Sequence, residues 1–407
     1  MKIAIMTQTL GHNYGGIMQA WALQQVLKRD GHQVVTLNRL SDSRSFPHAI
    51  ARKLKRGLTE TIGVRPLPNS IESNLPSQLL AARMLTNTRK FIKSELSMSE
   101  PLDSEAKLRK HIKSHGYEAV IVGSDQTWRP MYSPKLSNFF LDFLEDTNIK
   151  RIAYATSFGS DQWEYTQEEA ERYGALAKKF DTVTVREDLA VEMCQTHFGI
   201  TPEHVVDPTL LLNAEDYRAL IGKDRLSDIN GGVYTYFLNP DDEKRNLANH
   251  ASEQLNEPVF THKPLYDTLD KMFAAGGNIS EARLPEIRDW LAGFANASFV
   301  LTDSFHGMVF SLIFNKPFLV VNNPERGVAR INSLATASDR HSSIWDNTSE
   351  VDFMALAKQD TVNSLKFNEM RSSSHKTLRL ALSGTRENST SEKQRHSDHG
   401  LTQTATT

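Results

Sequence analysis

Thr302-Asp303-Ser304-Phe305-His306-Gly307 sets an imidazole where an apolar run gives way to a helix. At a helix start His306 faces free backbone N–H groups, and it can donate to a phosphate or carboxylate or move a proton. Its alternative is a structural histidine, with Asp303 and Ser304 capping the first turn. Arg186 follows the apolar run Thr182–Val185, where a guanidinium can clamp a phosphate at two points. Pairing with Glu187 or Asp188 is the bland alternative. In Gly123-Ser124-Asp125-Gln126-Thr127-Trp128, Asp125 can accept a sugar hydroxyl proton and Trp128 can offer a stacking face. The same residues also read as a capping aspartate and a core tryptophan. Near the N-terminus, Asn13-Tyr14-Gly15-Gly16 leaves backbone N–H groups open to an anion or a hydroxyl, or else forms a tight turn with positive φ. This turn is neither G-x-G-x-x-G nor a P-loop.

The elements that must position these turns follow from periodicity. Ile3–Thr7 reads as a buried strand, and Ile17, Ala20, Leu23 and Leu27 then mark one face of a helix. Lys28, Arg29 and Gly31 suit its end, and Val34–Leu37 completes a β-α-β unit, hence a parallel sheet. Strands at Ala119–Val122, Arg151–Ser157, Thr182–Val185 and His204–Val206 each stop at a polar turn, the edge where open α/β sheets bind ligands. A second block has strands at Val233–Leu238, Phe299–Leu301 and Phe318–Val321, with helices at Leu284–Ala295 and Met308–Phe314. The expected fold class is α/β with two doubly wound, Rossmann-like domains, at residues 1–212 and 228–345. A basic, helical insert occupies about 41–116 of the first. Residues 346–384 form a C-terminal helical segment in which Leu378–Leu382 sits on a helix returning to the first domain. From Thr385 onward only Leu401 is large and apolar, so a disordered tail is expected at 385–407.

Composition narrows the class. A formal charge of -2 and a pI near 6.7 give no reason to expect nucleic-acid binding. One cysteine, Cys194, excludes a disulfide framework and any all-cysteine cluster. Its helical setting beside Met193 reads as a buried thiol. The opening apolar run is too short for a signal peptide, and no stretch reaches the length of a membrane span, so a cytoplasmic home is expected.

Taken together, the turns resemble those of the polysaccharide pyruvyl transferases across most of residues 1–345. The resemblance rests on Asn13-Tyr14-Gly15-Gly16 with Gln19-Ala20 and Ala22-Leu23, and on Val122 through Trp128. It continues through Tyr154-Ala155-Thr156-Ser157-Phe158-Gly159, Val185-Arg186-Glu187, Val206-Asp207-Pro208-Thr209 and Thr302 through Gly307. It implies two Rossmann-like domains arranged as in GT-B glycosyltransferases. It further implies phosphoenolpyruvate as donor, a sugar hydroxyl pair as acceptor and a pyruvate ketal on a surface polysaccharide or its precursor. By position, Arg186 looks like the family's phosphate-binding arginine, and His306 like its donor-site histidine and general acid. Asp125 is then the candidate base, with Ser304 and Gly307 beside the donor. Asn13, Tyr14, Gly15, Gly16, Ser124 and Trp128 are assigned to the loops that meet the acceptor. The sequence departs from the pattern at Ser304 and Phe305, which stand where many members resemble Asp-Arg-Leu-His-Gly. Arg326 or Arg330 is the candidate replacement for the missing guanidinium. No metal or redox cofactor is called for.

Phe46, Ile50, Leu54, Leu58 and Ile62 recur at i+4 with Arg52, Lys53, Lys55 and Arg56 between them. A helix of this kind either packs on the sheet with a solvated basic face or touches anionic lipid where a lipid-linked acceptor waits. The competing functions are a nucleotide-sugar glycosyltransferase and a non-catalytic sugar-binding paralogue. Glycosyltransferases of this architecture usually carry a ribose-binding carboxylate after the second turn, and none stands here before Glu325.

Overall fold

A computed structural model describes residues 1–42, 75–133, 135–145, 147–227, 231–266, 268–322, 328–347, 349–359 and 363–384, with 75–78 and 81 described by backbone alone. The chain forms two α/β lobes, each built on a wholly parallel sheet. In the first lobe the strands are β1 (Lys2–Met6), β2 (Gln33–Thr36), β3 (Ala119–Val122), β4 (Lys150–Thr156), β5 (Thr182–Val185) and β6 (Glu203–His204). Their order is β2-β1-β3-β4-β5-β6. The second lobe has β7 (Val233–Tyr236), β8 (Val259–Phe260), β9 (Phe299–Thr302), β10 (Phe318–Val321) and β11 (Ile344–Trp345), in the order β11-β10-β9-β7-β8. Central strands such as β3 and β9 are buried along their whole length, as sheets covered on both faces require.

Helix α1 (Tyr14–Arg29) follows β1, and its buried face lies against Ile3 and Ile5 in one core. Among the described residues between β2 and β3 are α2 (Leu75–Met84), α3 (Thr86–Glu95) and α4 (Glu105–His115). In the first lobe α5 (Gln167–Ala177) and α6 (Asp188–Met193) flank β5, and α7 (Ala214–Ile221) leads out. The second lobe carries α8 (Asp242–Leu255), α9 (Leu269–Ala274), α10 (Ile287–Asn296), α11 (Phe305–Ile313), α12 (Ala329–Ser338) and α13 (Phe353–Ala357). The last helix among the described residues, α14 (Leu365–Ser383), returns to the first lobe. There the Leu382 carbonyl accepts from Lys150 (2.7 Å), and Arg371 donates to the Leu210 and Leu212 carbonyls.

One apolar core runs through both lobes. It joins Ile17, Leu23 and Tyr217 of the first to Trp290, Met308 and Phe310 of the second. Separate clusters fill the outer face of each sheet. Further ties cross the seam. The Tyr14 hydroxyl donates to the Pro285 carbonyl (2.7 Å), Asn87 donates to the Leu284 carbonyl (2.8 Å), and Arg288 pairs with Glu95 (2.7 Å). These contacts hold the carboxyl edges of the two sheets against each other. The basic segment at Phe46–Ile62, Arg326 and the 385–407 tail lie outside the described residues.

Candidate active site at the seam between the lobes

Four turns of the first lobe and one of the second converge at the seam. Arg186 leaves the carboxyl end of β5 with a fully buried side chain. Its Nη1 donates to Asp207 Oδ2 (2.8 Å) and its Nη2 to Asp125 Oδ1 (3.3 Å). Its Nε lies 3.8 Å from Glu187 Oε1, beyond hydrogen-bond reach. Burial works against the guanidinium charge, but the three carboxylates outweigh it and push its pKa up.

Asp207 ends the segment after β6 and caps the short 3-10 turn Pro208–Leu211. Its Oδ1 accepts from the Thr209 amide (3.0 Å) and hydroxyl (2.7 Å). Its Oδ2 accepts from Ser124 Oγ (3.0 Å) as well as from Arg186. Burial opposes its ionisation, yet nearby His306 and Arg186 together with the Thr209 bonds hold its pKa below the usual carboxylate range. Asp125 sits at φ 71°, a conformation that aspartate tolerates better than most residues. Its Oδ2 accepts from Asn13 Nδ2 (3.1 Å). Ser124 is held by Gln19, whose Oε1 accepts from the Ser124 amide (2.8 Å).

From the second lobe, α11 brings Phe305 and His306. The Phe305 ring lies under two guanidiniums, with Arg186 Cζ 4.7 Å and Arg330 Cζ 5.8 Å from its centroid. His306 Nε2 lies 3.9 Å from Asp207 Oδ2 and makes no hydrogen bond. Burial pulls the His306 pKa down to about 4; Asp207 and Asp125 work against this, and Arg186 and Arg330 add to it. The imidazole is therefore neutral at pH 7. Arg330, near the start of α12, is buried as well, and burial with the neighbouring Arg186 lowers its pKa to about 10, so it stays charged.

Gly15 explains the close fit of the ring, since a Cβ there would stand 2.0 Å from His306 Nδ1. Neither Gly15 nor Gly16 has positive φ; both belong to the first turn of α1. The Gly16 amide is already taken by the Asn13 cap (3.0 Å), so it is not an open anion donor.

Several sequence expectations need correction. Trp128 offers no stacking face. It is fully buried, donates to the Phe139 carbonyl (3.0 Å) and stacks on Phe140 in the outer core of the first lobe. A large apolar ring at that register gains more by filling the core than by meeting solvent. Tyr14 points to Pro285 and Trp290, tying the lobes together. Ser304 does not cap α11 through its side chain; its amide donates to Thr302 Oγ1 (3.1 Å). Asp303 does not cap α11 either. It accepts from the Leu238 and Asn239 amides after β7 and lies 3.6 Å from Lys244. Gly307 packs on Thr302, where a Cβ would meet Oγ1 at 2.1 Å. Sequence reasoning assigns no role to Asp207 or Phe305, and to Glu187 only that of pairing with Arg186. Their signals were an Asp-Pro-Thr capping turn, an acid directly after Arg186 and an aromatic ring in the leucine place.

The profile of the polysaccharide pyruvyl transferases matches residues 13–325, which take in all five of these turns. The chain belongs to that family. No curated protein matches its sequence. Among solved structures it is similar to the UDP-GlcNAc 2-epimerase of Neisseria meningitidis bound to UDP-GlcNAc, at 11% identity over 93% of this chain and 100% of that one, TM-score 0.46. The UDP-GlcNAc 2-epimerase of Methanocaldococcus jannaschii gives 12% identity over 94% and 100%, TM-score 0.49. Arabidopsis thaliana UGT89C1 complexed with quercetin gives 11% over 97% and 98%, TM-score 0.43. As a polysaccharide pyruvyl transferase the chain is a transferase by class. Among the described residues no helix is long and apolar enough to cross a membrane.

Proposed function

We propose that this chain moves the pyruvyl group of phosphoenolpyruvate onto two hydroxyls of a saccharide, free or lipid-linked, forming a cyclic ketal on a surface polysaccharide or its precursor. The observation that carries the reading is the pair of buried guanidiniums, Arg186 and Arg330, stacked on one ring beside His306. Both cations stand where the sheet edges meet, and a phosphate entering there can be met by the two together. Arg330 takes the part of the guanidinium that Ser304 cannot supply.

In the reaction the donor's methylene carbon gains a proton and one hydroxyl adds to C2. The C–O bond to phosphate breaks, and the second hydroxyl closes the ketal. One hydroxyl proton replaces the one given to carbon and the other leaves on phosphate. His306 serves as the acid and Asp125 as the base. Arg186 and Arg330 stabilise the departing phosphate. His306 is neutral before the donor arrives, and burial likewise pushes the Glu187 pKa up against Arg186, Ser157 and Arg330. A trianion entering this pocket favours protonation of both, so donor binding takes up protons.

Phosphate release from phosphoenolpyruvate with candidate sugars is the direct test. His306→Gln is expected to lower turnover by on the order of 10²–10⁴ while leaving the fold intact. Retained turnover would remove His306 from the mechanism. Release from a sugar nucleotide instead would favour the glycosyltransferase reading. Titration calorimetry with phosphoenolpyruvate in buffers of different ionisation heat reads the proton uptake.

A further inference from the structure

Acid catalysis by His306 needs a charged ring, and the ring's surroundings oppose it. Arg186 and Arg330 face it as cations, and it is almost wholly buried. Asp125 and Asp207 are the acids that act on it, and Asp207 is the one placed at its Nε2. Asp207 is also rigid. Thr209 pins one of its oxygens, while Ser124 and Arg186 pin the other from two more strand ends. His306 Nε2 is a buried nitrogen without a hydrogen bond, 3.9 Å from that second oxygen. Buried polar nitrogens are rarely left so, and an approach of about 1 Å makes this contact an ordinary hydrogen bond.

We propose that Asp207 is the positioning residue of the reaction: as the lobes close it accepts a hydrogen bond from His306 Nε2, joining acid and aspartate into a dyad across the seam. Asp207 touches no reacting atom. It fixes the proton of the neutral ring on Nε2 and leaves Nδ1, on the Gly15 side, as the nitrogen that gains and passes a proton. It also supplies the countercharge that the imidazolium needs once formed. The same carboxylate orients Arg186, so one buried aspartate aligns the phosphate ligand of one lobe with the acid of the other.

This inference rests on the proposed reaction for its kinetics but not for its geometry. Asp207→Asn removes the charge and keeps one of the two acceptor oxygens, enough for Thr209 or for Arg186 and Ser124 but not for both sets. It is expected to lower kcat by on the order of 10², the larger effect, with a smaller rise in the KM for phosphoenolpyruvate from the weakened hold on Arg186. In a cycle with His306→Gln, the two losses should fall well short of multiplying, because Asp207 acts on kcat chiefly through that ring. Losses that multiply mark a merely structural aspartate and overturn the proposal. Nitrogen-15 NMR of the wild-type protein at neutral pH reads the ring without any variant or turnover. A proton on Nε2 supports the dyad, and one on Nδ1 overturns it. If phosphoenolpyruvate proves not to be the donor, that spectrum still decides the pairing.

Discussion

The carboxyl edges of the two sheets meet at the seam but are built on different terms. The first lobe concentrates charge there: Arg186 lies among Asp125, Glu187 and Asp207, all buried. The second lobe presents an imidazole and a phenyl ring, backed by Arg330, while its own strand-end aspartate turns away. Asp303 holds the Leu238 and Asn239 amides after β7 instead of facing the seam. Asp125, Asp207 and Asp303 thus share a place at a sheet edge and divide into two jobs. One lobe fixes a rigid field of charge, and the other brings a titratable group up to it. A site divided in this way is assembled only when both lobes are together.

Removing the centre of the charged edge is the strongest way to break this contrast. Arg186→Ala leaves three buried carboxyl groups without their shared cation and is expected to cost about 3–5 kcal/mol in urea unfolding. The same change in the imidazole lobe, His306→Gln, should cost little stability at pH 7. A mild Arg186 variant would show that the carboxylates are not dependent on it.

The imidazole lobe is sharpened by pH. The folded pKa of His306 is held at about 4, below its ordinary 6.5, so between those values the unfolded chain binds the extra proton. Stability from this group is complete above pH 6.5 and is lost as pH falls toward 4, by up to about 3 kcal/mol. His306→Gln should flatten that acid limb, measured by urea unfolding across pH 4 to 7. An unchanged limb would place the titration elsewhere.

Gly15→Ala tests the fit between the lobes. The added methyl collides with the imidazole, and the expected cost is about 1–3 kcal/mol together with a loss of turnover. Gly31→Ala, where φ is 83° and nothing stands within 4 Å, should lose only the backbone contribution of about 1 kcal/mol and keep full activity. Smallest is the test of the two aspartate jobs. Asp303→Asn should cost about 1 kcal/mol of stability with an unshifted pH–rate profile, whereas Asp125→Asn should do the reverse.

Much of this frame was legible in the residues. β3, β5 and β10 fall where the apolar runs were read, because buried parallel strands are short runs ended by polar turns. The opening helix was marked by its three- and four-residue spacing, and the return of the last helix by Leu378 and Leu382, both buried against the first lobe. What periodicity could not give was direction. Nothing in Gly123–Trp128 says that the tryptophan turns into the core while the aspartate turns toward Arg186. Nor does Thr302–Gly307 say that Asp303 serves a neighbouring strand. The apolar run predicts a strand at His204–Val206, yet the residues that pair with β5 are Glu203 and His204, and Asp207 beyond them reaches the seam. Such choices follow from contacts between distant segments, Asp125 with Arg186 61 residues away and Asp303 with Leu238 65 residues away, which no local pattern carries.

The last helix has a mechanical consequence. Because α14 docks on the first lobe after the chain has already left it through α7, the described residues pass from the first lobe to the second and back again. A single crossing would act as a swivel, free to turn about any direction. Two ties leave the second lobe less freedom to turn on the first than a single linker would.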